Sequence, residues 1–419
     1  MCMLWKGGKA YGILGQGILK GVMKINLPYN VKKIISVLEE NGFEAYAVGG
    51  CVRDSLIGKK PDDWDIACSA KPEQVKALFH KTIDTGIRHG TVTVMMKHVG
   101  YEVTTYRIDG EYTDSRHPKK VIFTPSLTED LKRRDFTINA MAYSDRTGIV
   151  DIFDGAGDLQ KKVIRCVGNP KERFGEDALR ILRAVRFSAQ LGFSIEEGTA
   201  QAAEELASNL KKISRERIRT ELDKLIMSGH PDHVRLLENL GILPCIFSGY
   251  VCCGETASLA DRLVNSETEH YIRWALFITG ISFENLLESL KFDNKSIKIC
   301  NTMKKYANEE LRADKAYIRH MAVKIGRDIF RRYYLPFRKV LGNTSEELLK
   351  QIEKAYDEII ENGDCLSLRE MNINGNDLKE AGIAEGERVG EVLNALFCRV
   401  LEDTSINDRD TLLELAKIL

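Results

Sequence analysis

Two aspartates in the run Asp62-Asp63-Trp64-Asp65 have the spacing that places alternate side chains of a strand on one face. We therefore predict that Asp63 and Asp65 lie on a strand and point the same way, with carboxylates about 7 Å apart. Such a pair suits Mg²⁺, which takes oxygen ligands and keeps waters and substrate phosphates as the remainder. Taken alone, such a pair occurs by chance in many proteins and is more typical of a solvated strand end.

A second run, Gly49-Gly50-Cys51-Val52-Arg53-Asp54, closely precedes these carboxylates. We interpret it as the end of a strand, two glycines and a short turn. Glycines there let backbone N–H groups approach a triphosphate, and the planar guanidinium of Arg53 binds phosphate through two hydrogen bonds. Together the two runs predict metal-dependent nucleotidyl transfer, in which bound metal activates a hydroxyl and stabilises leaving pyrophosphate.

A third pattern places four charged side chains at intervals of three residues: Asp177, Arg180, Arg183 and Arg186. This spacing predicts one gradually drifting face of one helix, which is either a solvated face with an ion pair or a ligand-facing stripe. Beside a nucleotide site we favour a base reader. An aspartate accepts from the exocyclic amino group of cytosine or adenine and an arginine donates to the ring nitrogen, which would exclude uracil and guanine.

Three weaker candidates leave two interpretations open each. The run Arg133-Arg134-Asp135 with Asn139 is either a charged helix face or a grip on sugar and phosphate. The run 211–219 is either solvated or contacts an RNA backbone. Glu102 is either a third acidic partner or an ordinary surface residue.

The elements around these residues predict an α+β chain. Apolar periodicity predicts helices over 29–42, 71–80 and, with a capping box at Ser126 and Glu129, from 126 through 139. Strands are predicted at 91–96, at 101–106 and at 149–153, and residues 109–120 are interpreted as a mobile loop. From residue 171 onward only helices are predicted, beginning with 171–191, 199–210, 214–228 and 231–240.

Composition limits the class of protein. With 419 residues, two to four domains are expected, and 43% apolar with 29% charged residues is an ordinary globular mixture. No apolar run is long enough to span a membrane. Ten cysteines without a C-x-x-C pair predict reduced thiols in the cytoplasm, with neither a disulfide framework nor a zinc site.

Charge is unevenly distributed although its formal sum is zero. Residues 351–419 carry 16 acidic against 7 basic side chains, a net charge of −9, which leaves +9 on residues 1–350. A basic first part is compatible with nucleic-acid binding. The first 22 residues are rich in glycine and are expected to form a loose N-terminal extension.

Several linked runs together resemble the bacterial (class II) tRNA nucleotidyltransferases, or CCA-adding enzymes, of the polymerase-β-like and poly(A) polymerase family. The runs are GGCVRD, DDWDIA, KRRDFTINAMA, DIFDGAGDL and EDALRILRAVRFSAQLGF, and the resemblance extends from about Asn30 to Leu243. It implies a polymerase-β-like mixed-sheet head followed by an all-α neck, body and tail. We assign the loose extension to 1–22, the head to 23–154, the neck to 155–212, the body to 213–300 and the tail to 301–419.

The resemblance also implies roles for individual residues. Asp63 and Asp65 would bind Mg²⁺, and Gly50, Arg53 and Arg134 would contact the incoming CTP or ATP. Asp177 and Arg180 would select the base, supported by Arg183 and Arg186. The tRNA 3′ hydroxyl would attack the α-phosphate while the body and tail hold the acceptor arm.

Other activities stay open to different degrees. The loop at 109–120 resembles one that CC-adding enzymes lack, whereas an A-adding enzyme and a bacterial poly(A) polymerase remain alternatives. The stretch 275–281 carries no His-Asp pair, so no phosphatase activity is expected. Asp63, Asp65 and Arg180 disfavour an inactive RNA-binding protein. The long basic helical region and the base-reading stripe disfavour a nucleotidyltransferase that acts on a small molecule.

Overall fold

The computed structural model describes residues 24–110, 121–250, 256–281 and 283–419. The predicted loose extension at 1–22 and residues 111–120 of the predicted loop lie outside this part of the chain. The chain forms two compact units that divide between Cys252 and Cys253. Our finer division at 154, 212 and 300 stays a prediction.

The first unit contains all the strands that the structure describes. They are β1 (Ala45–Val48), β2 (Ile66–Cys68), β3 (Thr82–Gly86), β4 (Thr91–Met96), β5 (Val99–Thr105), β6 (Arg107–Asp109), β7 (Val121–Phe123), β8 (Met141–Ser144), β9 (Gly148–Asp151), β10 (Val163–Ile164) and β11 (Ser194–Ile195).

The helices of the first unit cover the sheet and then continue alone. They are α1 (Tyr29–Glu40), α2 (Gly50–Leu56), α3 (Pro72–Leu78), α4 (Leu127–Lys132), α5 (Gly155–Lys161), α6 (Pro170–Glu176), α7 (Leu179–Leu191), α8 (Glu197–Leu206), α9 (Arg215–Ile226), α10 (Arg235–Asn239) and α11 (Leu243–Ile246).

Seven strands form one mixed sheet in the order β3-β4-β5-β2-β1-β8-β9. Neighbouring strands are antiparallel except β2 and β5, which run parallel with Ile66 opposite Val103. Every residue of β1 is buried, as expected for a central strand. Tyr46 and Val48 of β1 pack with Leu127 and Leu131 of α4, which fixes that helix against the sheet.

Most of the predicted head elements are confirmed, with shifted ends. The strands predicted at 91–96 and 101–106 were expected to join through a turn at 98–100. The observed hairpin of β4 and β5 is tighter, because Lys97 and His98 both take positive φ angles and form a two-residue turn. The helix that begins after Ser126 ends at Lys132 instead of continuing through Asn139. Beyond it the backbone pairs with a later segment (Val167 N to Asp135 O, 3.1 Å), and this tertiary pairing overrides the helical pattern.

Two further expectations about the helical region are wrong. A strand does occur after residue 171, since β11 pairs with β10, although it is only two residues long. The segment 171–191 forms two helices that are separated at Asp177 and Ala178. The remaining helices end a few residues early, and short 3-10 turns follow or precede them at 207–212 and 231–234.

The second unit consists of helices in its described residues, as predicted. They are α12 (Thr256–Asn265), α13 (His270–Gly280), α14 (Leu286–Ser289), α15 (Asn294–Lys305), α16 (Lys315–Ile325), α17 (Arg327–Ile329), α18 (Leu335–Leu341), α19 (Glu346–Glu361), α20 (Gly375–Glu380), α21 (Arg388–Glu402) and α22 (Arg409–Ala416), with a π-helical turn at Phe330–Tyr334.

Aromatic side chains and one buried arginine stabilise this unit. Trp274 and Phe277 lie edge to face in the core, 5.3 Å between ring centroids. Arg319 is 6% exposed and donates to Leu401 O and Glu402 O at the end of α21, 2.7 and 2.9 Å. Its guanidinium satisfies carbonyl groups that a helix end otherwise leaves unpaired.

Two general features bear on cellular context. Within the described ranges, no helix combines the length and the apolar character needed to cross a membrane. The seven cysteines in those ranges are free thiols.

The start of α5 generates a stability prediction. A Cβ atom at Gly155 would lie 2.3 Å from Thr137 O, a backbone atom that cannot rotate away. We expect Gly155→Ala to lower the free energy of unfolding by about 1–3 kcal/mol, in the range of overpacked cores. Thermal unfolding followed by circular dichroism measures it. The matched control is Gly175→Ala on α6, where a Cβ meets nothing within 4 Å and stability should hold or rise slightly. Equal melting temperatures for both variants would contradict the packing argument.

Candidate active site

Three carboxylates, those of Asp63, Asp65 and Glu102, lie near one another where strand β2 begins. We call this group the carboxylate edge. The parallel register of β2 and β5 places Glu102 beside Asp65, the residue directly before β2. The pKa of Asp65 is raised, first because the surrounding protein displaces part of its hydration, and then because Glu102 and Asp63 are nearby negative charges. Arg134 opposes this shift. The edge therefore concentrates negative charge that a bound cation would neutralise.

The expectation that Asp63 and Asp65 both lie on a strand is wrong. Strand β2 begins at Ile66, and both aspartates belong to the irregular segment before it. The last rung of the ladder is the hydrogen bond from Val48 N to Asp65 O, 3.0 Å. Because the chain turns out of β1 at Gly49, that strand offers no further partner.

The glycine pair allows the chain to turn beside an arginine. Gly49 has a φ of +77°, and a Cβ atom there would lie 2.9 Å from Arg134 NH1. Gly50 then begins α2, so the predicted short turn is in fact a helix. Arg53 on α2 is 9% exposed and donates from NH1 to Asn139 Oδ1, 2.7 Å.

A fully buried aspartate holds the two arginines that follow α4. Asp130 Oδ1 accepts from Arg133 NH2 (2.8 Å) and Asp130 Oδ2 accepts from Arg134 NH2 (3.2 Å). Burial by itself raises the pKa of Asp130, but the two guanidinium groups reverse this and leave it below its ordinary value. The ionised carboxylate therefore fixes both arginines where they meet the glycine turn.

The predicted helical stripe is divided between two elements. Glu176 ends α6, and Asp177 has φ −140° and ψ 103°, so it lies outside the helix that carries the three arginines. Its Oδ1 accepts from Leu179 N at 3.0 Å and caps the next turn. Its Oδ2 accepts from Arg217 NH2 of α9 at 2.7 Å. A side chain that prefers to bond to nearby N–H groups favours such a break.

Arg180 and Arg183 of α7 point back to the segment after α4. Arg180 donates to Glu176 Oε2 (2.7 Å) and to the carbonyl oxygen of Arg133 (3.0 Å). Arg183 donates from Nε and NH2 to Asp135 Oδ2, 2.8 and 2.5 Å. Burial raises the pKa of Asp135, yet the adjacent Arg183 guanidinium lowers it to about 2. This pair therefore stays ionised.

Arg186 has a different environment from the other two arginines of α7. It is 7% exposed and donates from Nε to Glu221 Oε2 of α9 at 2.5 Å. Its guanidinium also stacks on Phe187, 3.8 Å from the ring centroid. Arg186 thus joins α7 to α9.

One cavity of about 450 Å³ collects most of the predicted residues. Seven of the nine predicted site residues line it, namely Gly50, Arg53, Asp65, Arg134, Asp177, Arg180 and Arg183. Asp63 and Arg186 are not part of its wall. Six arginines and three aspartates line the cavity, a net charge of +3 that favours a polyphosphate ligand.

The cavity also includes residues that sequence reasoning placed differently or missed. Asp135 and Asn139 were considered only as a charged face or a grip on sugar, whereas they connect α2 to α7. Arg217 belongs to the run 211–219, and its guanidinium donates to the Asp177 carboxylate in the cavity wall. Phe187 was not considered, and it lies beneath the Arg53 guanidinium, 5.2 Å from the ring centroid. The run of arginines before an aromatic residue was the only available signal.

The carboxylates also define what metal the cavity could hold. In the described part of the chain, no group of three or more His, Cys, Asp or Glu side chains is placed to hold a metal ion by itself. The clustered charge at Asp65 nevertheless fits a cation that draws its other ligands from water and phosphate. The carboxylate oxygens there suit a hard cation better than a softer metal.

Family models match three successive parts of the chain. Residues 45–165 match the poly A polymerase head domain, and residues 192–251 match the probable RNA and SrmB-binding site of polymerase A. Residues 265–416 match the putative tRNA nucleotidyltransferase domain 2. Both compact units therefore have counterparts in nucleotidyltransferases that act on RNA.

Individual relatives match along almost the whole length. The CCA-adding enzyme of Ligilactobacillus salivarius is 39% identical, over 94% of this chain and 98% of that protein. The CCA-adding enzyme of Leuconostoc mesenteroides is 37% identical, over 93% of this chain and 96% of that protein. The crystal structure of the Bacillus stearothermophilus CCA-adding enzyme in complex with CTP matches with a TM-score of 0.79 and 30% identity, covering 94% of this chain and 98% of that one. The predicted polymerase-β-like α+β fold is confirmed, and the chain belongs to the family of CCA-adding tRNA nucleotidyltransferases.

Proposed function

We propose that this chain adds CCA to the 3′ end of tRNA from CTP and ATP, without a nucleic-acid template. The observation that carries this proposal is the likeness to CCA-adding enzymes over both compact units. The cavity supports it, because its wall joins a carboxylate edge to a set of arginines and an aspartate suited to reading a base.

The carboxylate edge is proposed to carry the chemistry. Enzymes of this family use a divalent metal ion, and we infer that it is Mg²⁺ here, held by Asp63 and Asp65. When bound, the metal would polarise the phosphate oxygens and neutralise developing charge. The tRNA 3′ hydroxyl attacks the α-phosphate in line, and pyrophosphate leaves.

The phosphate side of the cavity is proposed to hold the triphosphate. Arg53 and Arg134 stand on either side of the Gly49–Gly50 turn, and Asp130 keeps Arg134 in place. Among the described residues, Nε of Arg134 is buried and has no hydrogen-bond partner. Positive charge fixed before the substrate arrives binds phosphate without further rearrangement.

The base side is proposed to select cytosine and adenine. Asp177 accepts from the exocyclic amino group and Arg180 donates to the ring nitrogen, while Arg183 and Arg186 support α7 through Asp135 and Glu221. A base with a carbonyl group at the amino position would face a second acceptor. Such a mismatch is costly in a partly buried site.

The second unit offers a surface for the tRNA itself. A groove of about 840 Å³ lies between α15, the π-helical turn and α19. Lys295, Lys298 and Arg332 line it, are exposed, and form no ion pair among the described residues, whereas the neighbouring Arg331 is paired with Asp357. Cations that no described carboxylate neutralises are available to phosphates of an RNA helix.

An enzyme with free thiols and a tRNA substrate is expected in the cytoplasm.

Transcripts of one tRNA that end at different points test the function. With CTP and ATP, a transcript lacking CCA should gain C, C and A and then stop, and a transcript ending in CC should gain one A. Denaturing gels resolve each product. Failure to add C while A is added would indicate an A-adding enzyme, and unlimited A addition would indicate a poly(A) polymerase.

Removal of either carboxylate tests the catalytic edge. Asp63→Ala and Asp65→Ala should each slow addition of both C and A by at least about 10²-fold, because several kcal/mol of charge stabilisation is lost. The affinity for tRNA, measured by filter binding, should remain. Asp145→Ala is the control, since Asp145 is exposed and pairs with Lys32 away from the cavity. Normal rates in both variants would refute the assignment.

The groove generates a binding prediction. Lys295→Ala with Lys298→Ala should weaken tRNA binding by about tenfold and reduce the slope of log affinity against log salt by about 1 to 2. The matched control, Lys350→Ala with Lys354→Ala, removes two exposed lysines of α19 that do not line the groove. If the two double variants lose affinity equally, the groove is not the contact surface.

A further inference from the structure

The pairing of Asp177 differs from that of the other carboxylates in the cavity. Arg180, Arg183 and Arg186 of α7 pair with Glu176, Asp135 and Glu221 respectively. In those three pairs the carboxylate holds an arginine of α7 in place. In the fourth pair the carboxylate is that of Asp177, the proposed base-reading group. Here Arg217 of α9 is the arginine that holds the carboxylate in place.

Arg217 grips Asp177 with both arms of its guanidinium. NH2 donates to Oδ2 at 2.7 Å, and NH1 donates to Oδ1 at 3.4 Å. The side chains are 24% and 17% exposed, so the pair is partly withdrawn from water. In the described part of the chain no other carboxylate forms an ion pair with Arg217. Its position therefore has one evident consequence, which is the orientation of Asp177.

The local chain alone does not fix that orientation. Asp177 lies between α6 and α7, outside both helices, and within the described residues its carboxylate accepts one local hydrogen bond, from Leu179 N to Oδ1. A carboxylate held at one oxygen still rotates about its side-chain bonds. Arg217 supplies the second point of attachment from forty residues later in the chain.

Helix α9 is itself anchored, so Arg217 is a fixed support. Ile218 and Leu222 of α9 are buried, and Glu221 accepts from Arg186 of α7. The adjacent turns of α9 thus place one ion pair in the interior and the other in the cavity wall. Helix α9 provides a rigid backing for the base-reading edge.

We propose that Arg217 is a positioning residue for base selection, which holds the Asp177 carboxylate as a fixed acceptor toward the exocyclic amino group of the incoming base. Each carboxylate oxygen has two acceptor sites, so the three bonds from Leu179 and Arg217 leave one site, on Oδ2, for the base. Because a carboxylate has no proton to donate, it cannot satisfy the O4 carbonyl of uracil. The inference rests on the proposed function and extends it to a residue outside α7.

The experiment compares CTP with UTP on a tRNA transcript that lacks CCA. The ratio of kcat/KM for CTP to kcat/KM for UTP is measured for the wild-type chain and for Arg217→Gln, Arg217→Lys and Arg180→Ala. Arg217→Gln should lower the ratio about tenfold or more, chiefly through increased relative use of UTP. Arg217→Lys keeps the positive charge without the planar fork, so its ratio should lie between those of the wild-type chain and Arg217→Gln.

The matched control is Arg165→Gln, which removes an arginine with two ion-pair partners, Asp158 and Glu196, outside the cavity wall. Its ratio should equal that of the wild-type chain, and thermal unfolding compares the stability loss of the two glutamine variants. A purely structural role for Arg217 would lower kcat/KM for both nucleotides by one factor and leave the ratio unchanged. That result would overturn the inference.

The remaining outcomes separate this inference from the function on which it rests. If the wild-type chain adds no C, or if Arg180→Ala leaves the ratio unchanged, the proposed base reading fails and the inference falls with it. If Arg180→Ala lowers the ratio and Arg217→Gln does not, the function stands and the inference is wrong. Should Arg217→Gln fail to fold, the ratio for Arg217→Lys decides in the same way.

Discussion

The site depends on one buried carboxylate, that of Asp135. Its Oδ2 accepts two hydrogen bonds from Arg183, and its Oδ1 accepts from Asn139 Nδ2 at 3.3 Å. Asn139 in turn accepts from Arg53 through Oδ1. A continuous chain of hydrogen bonds thus runs from Arg53 on α2, beside the glycine turn, to Arg183 on α7. Because an unpaired buried carboxylate costs about 3–5 kcal/mol, no member of the chain can be lost without disturbing the others.

Folding also sets the charge of the cavity before a substrate is present. The arginines of the wall are held by carboxylates or carbonyl oxygens, so their long side chains are already ordered. The surplus of three positive charges remains for the ligand. An ordered surplus is effective for a triphosphate because little reorganisation accompanies binding. Negative charge at Asp65 and Glu102 lies at one end of the site, apart from the arginines that carry its positive charge.

Local patterns predicted the chemistry better than the geometry. Gly50, Asp65, Arg180 and Arg183 were singled out by residue type and spacing, and the fold brings them to one cavity. The break at Asp177 could not be predicted, since a helical period continues through it and only the side-chain cap to Leu179 interrupts the helix. Likewise the end of α4 at Lys132 is set by pairing with residues some thirty positions later. The role of Arg217 requires knowing that α9 packs beside α7, which no periodicity specifies. What the sequence did not provide were contacts between distant segments.

Gly155 illustrates how far the demands of the site extend. This residue lies outside the cavity wall, at the first turn of α5, where helix propensity alone would favour alanine. It touches Thr137, however, and Thr137 begins the short turn that ends at Asn139. A side chain at position 155 would press on the turn that supports Asn139 between Arg53 and Asp135. Tolerance of substitution at this remote glycine is therefore set by the packing of the cavity wall as well as by the helix in which it lies.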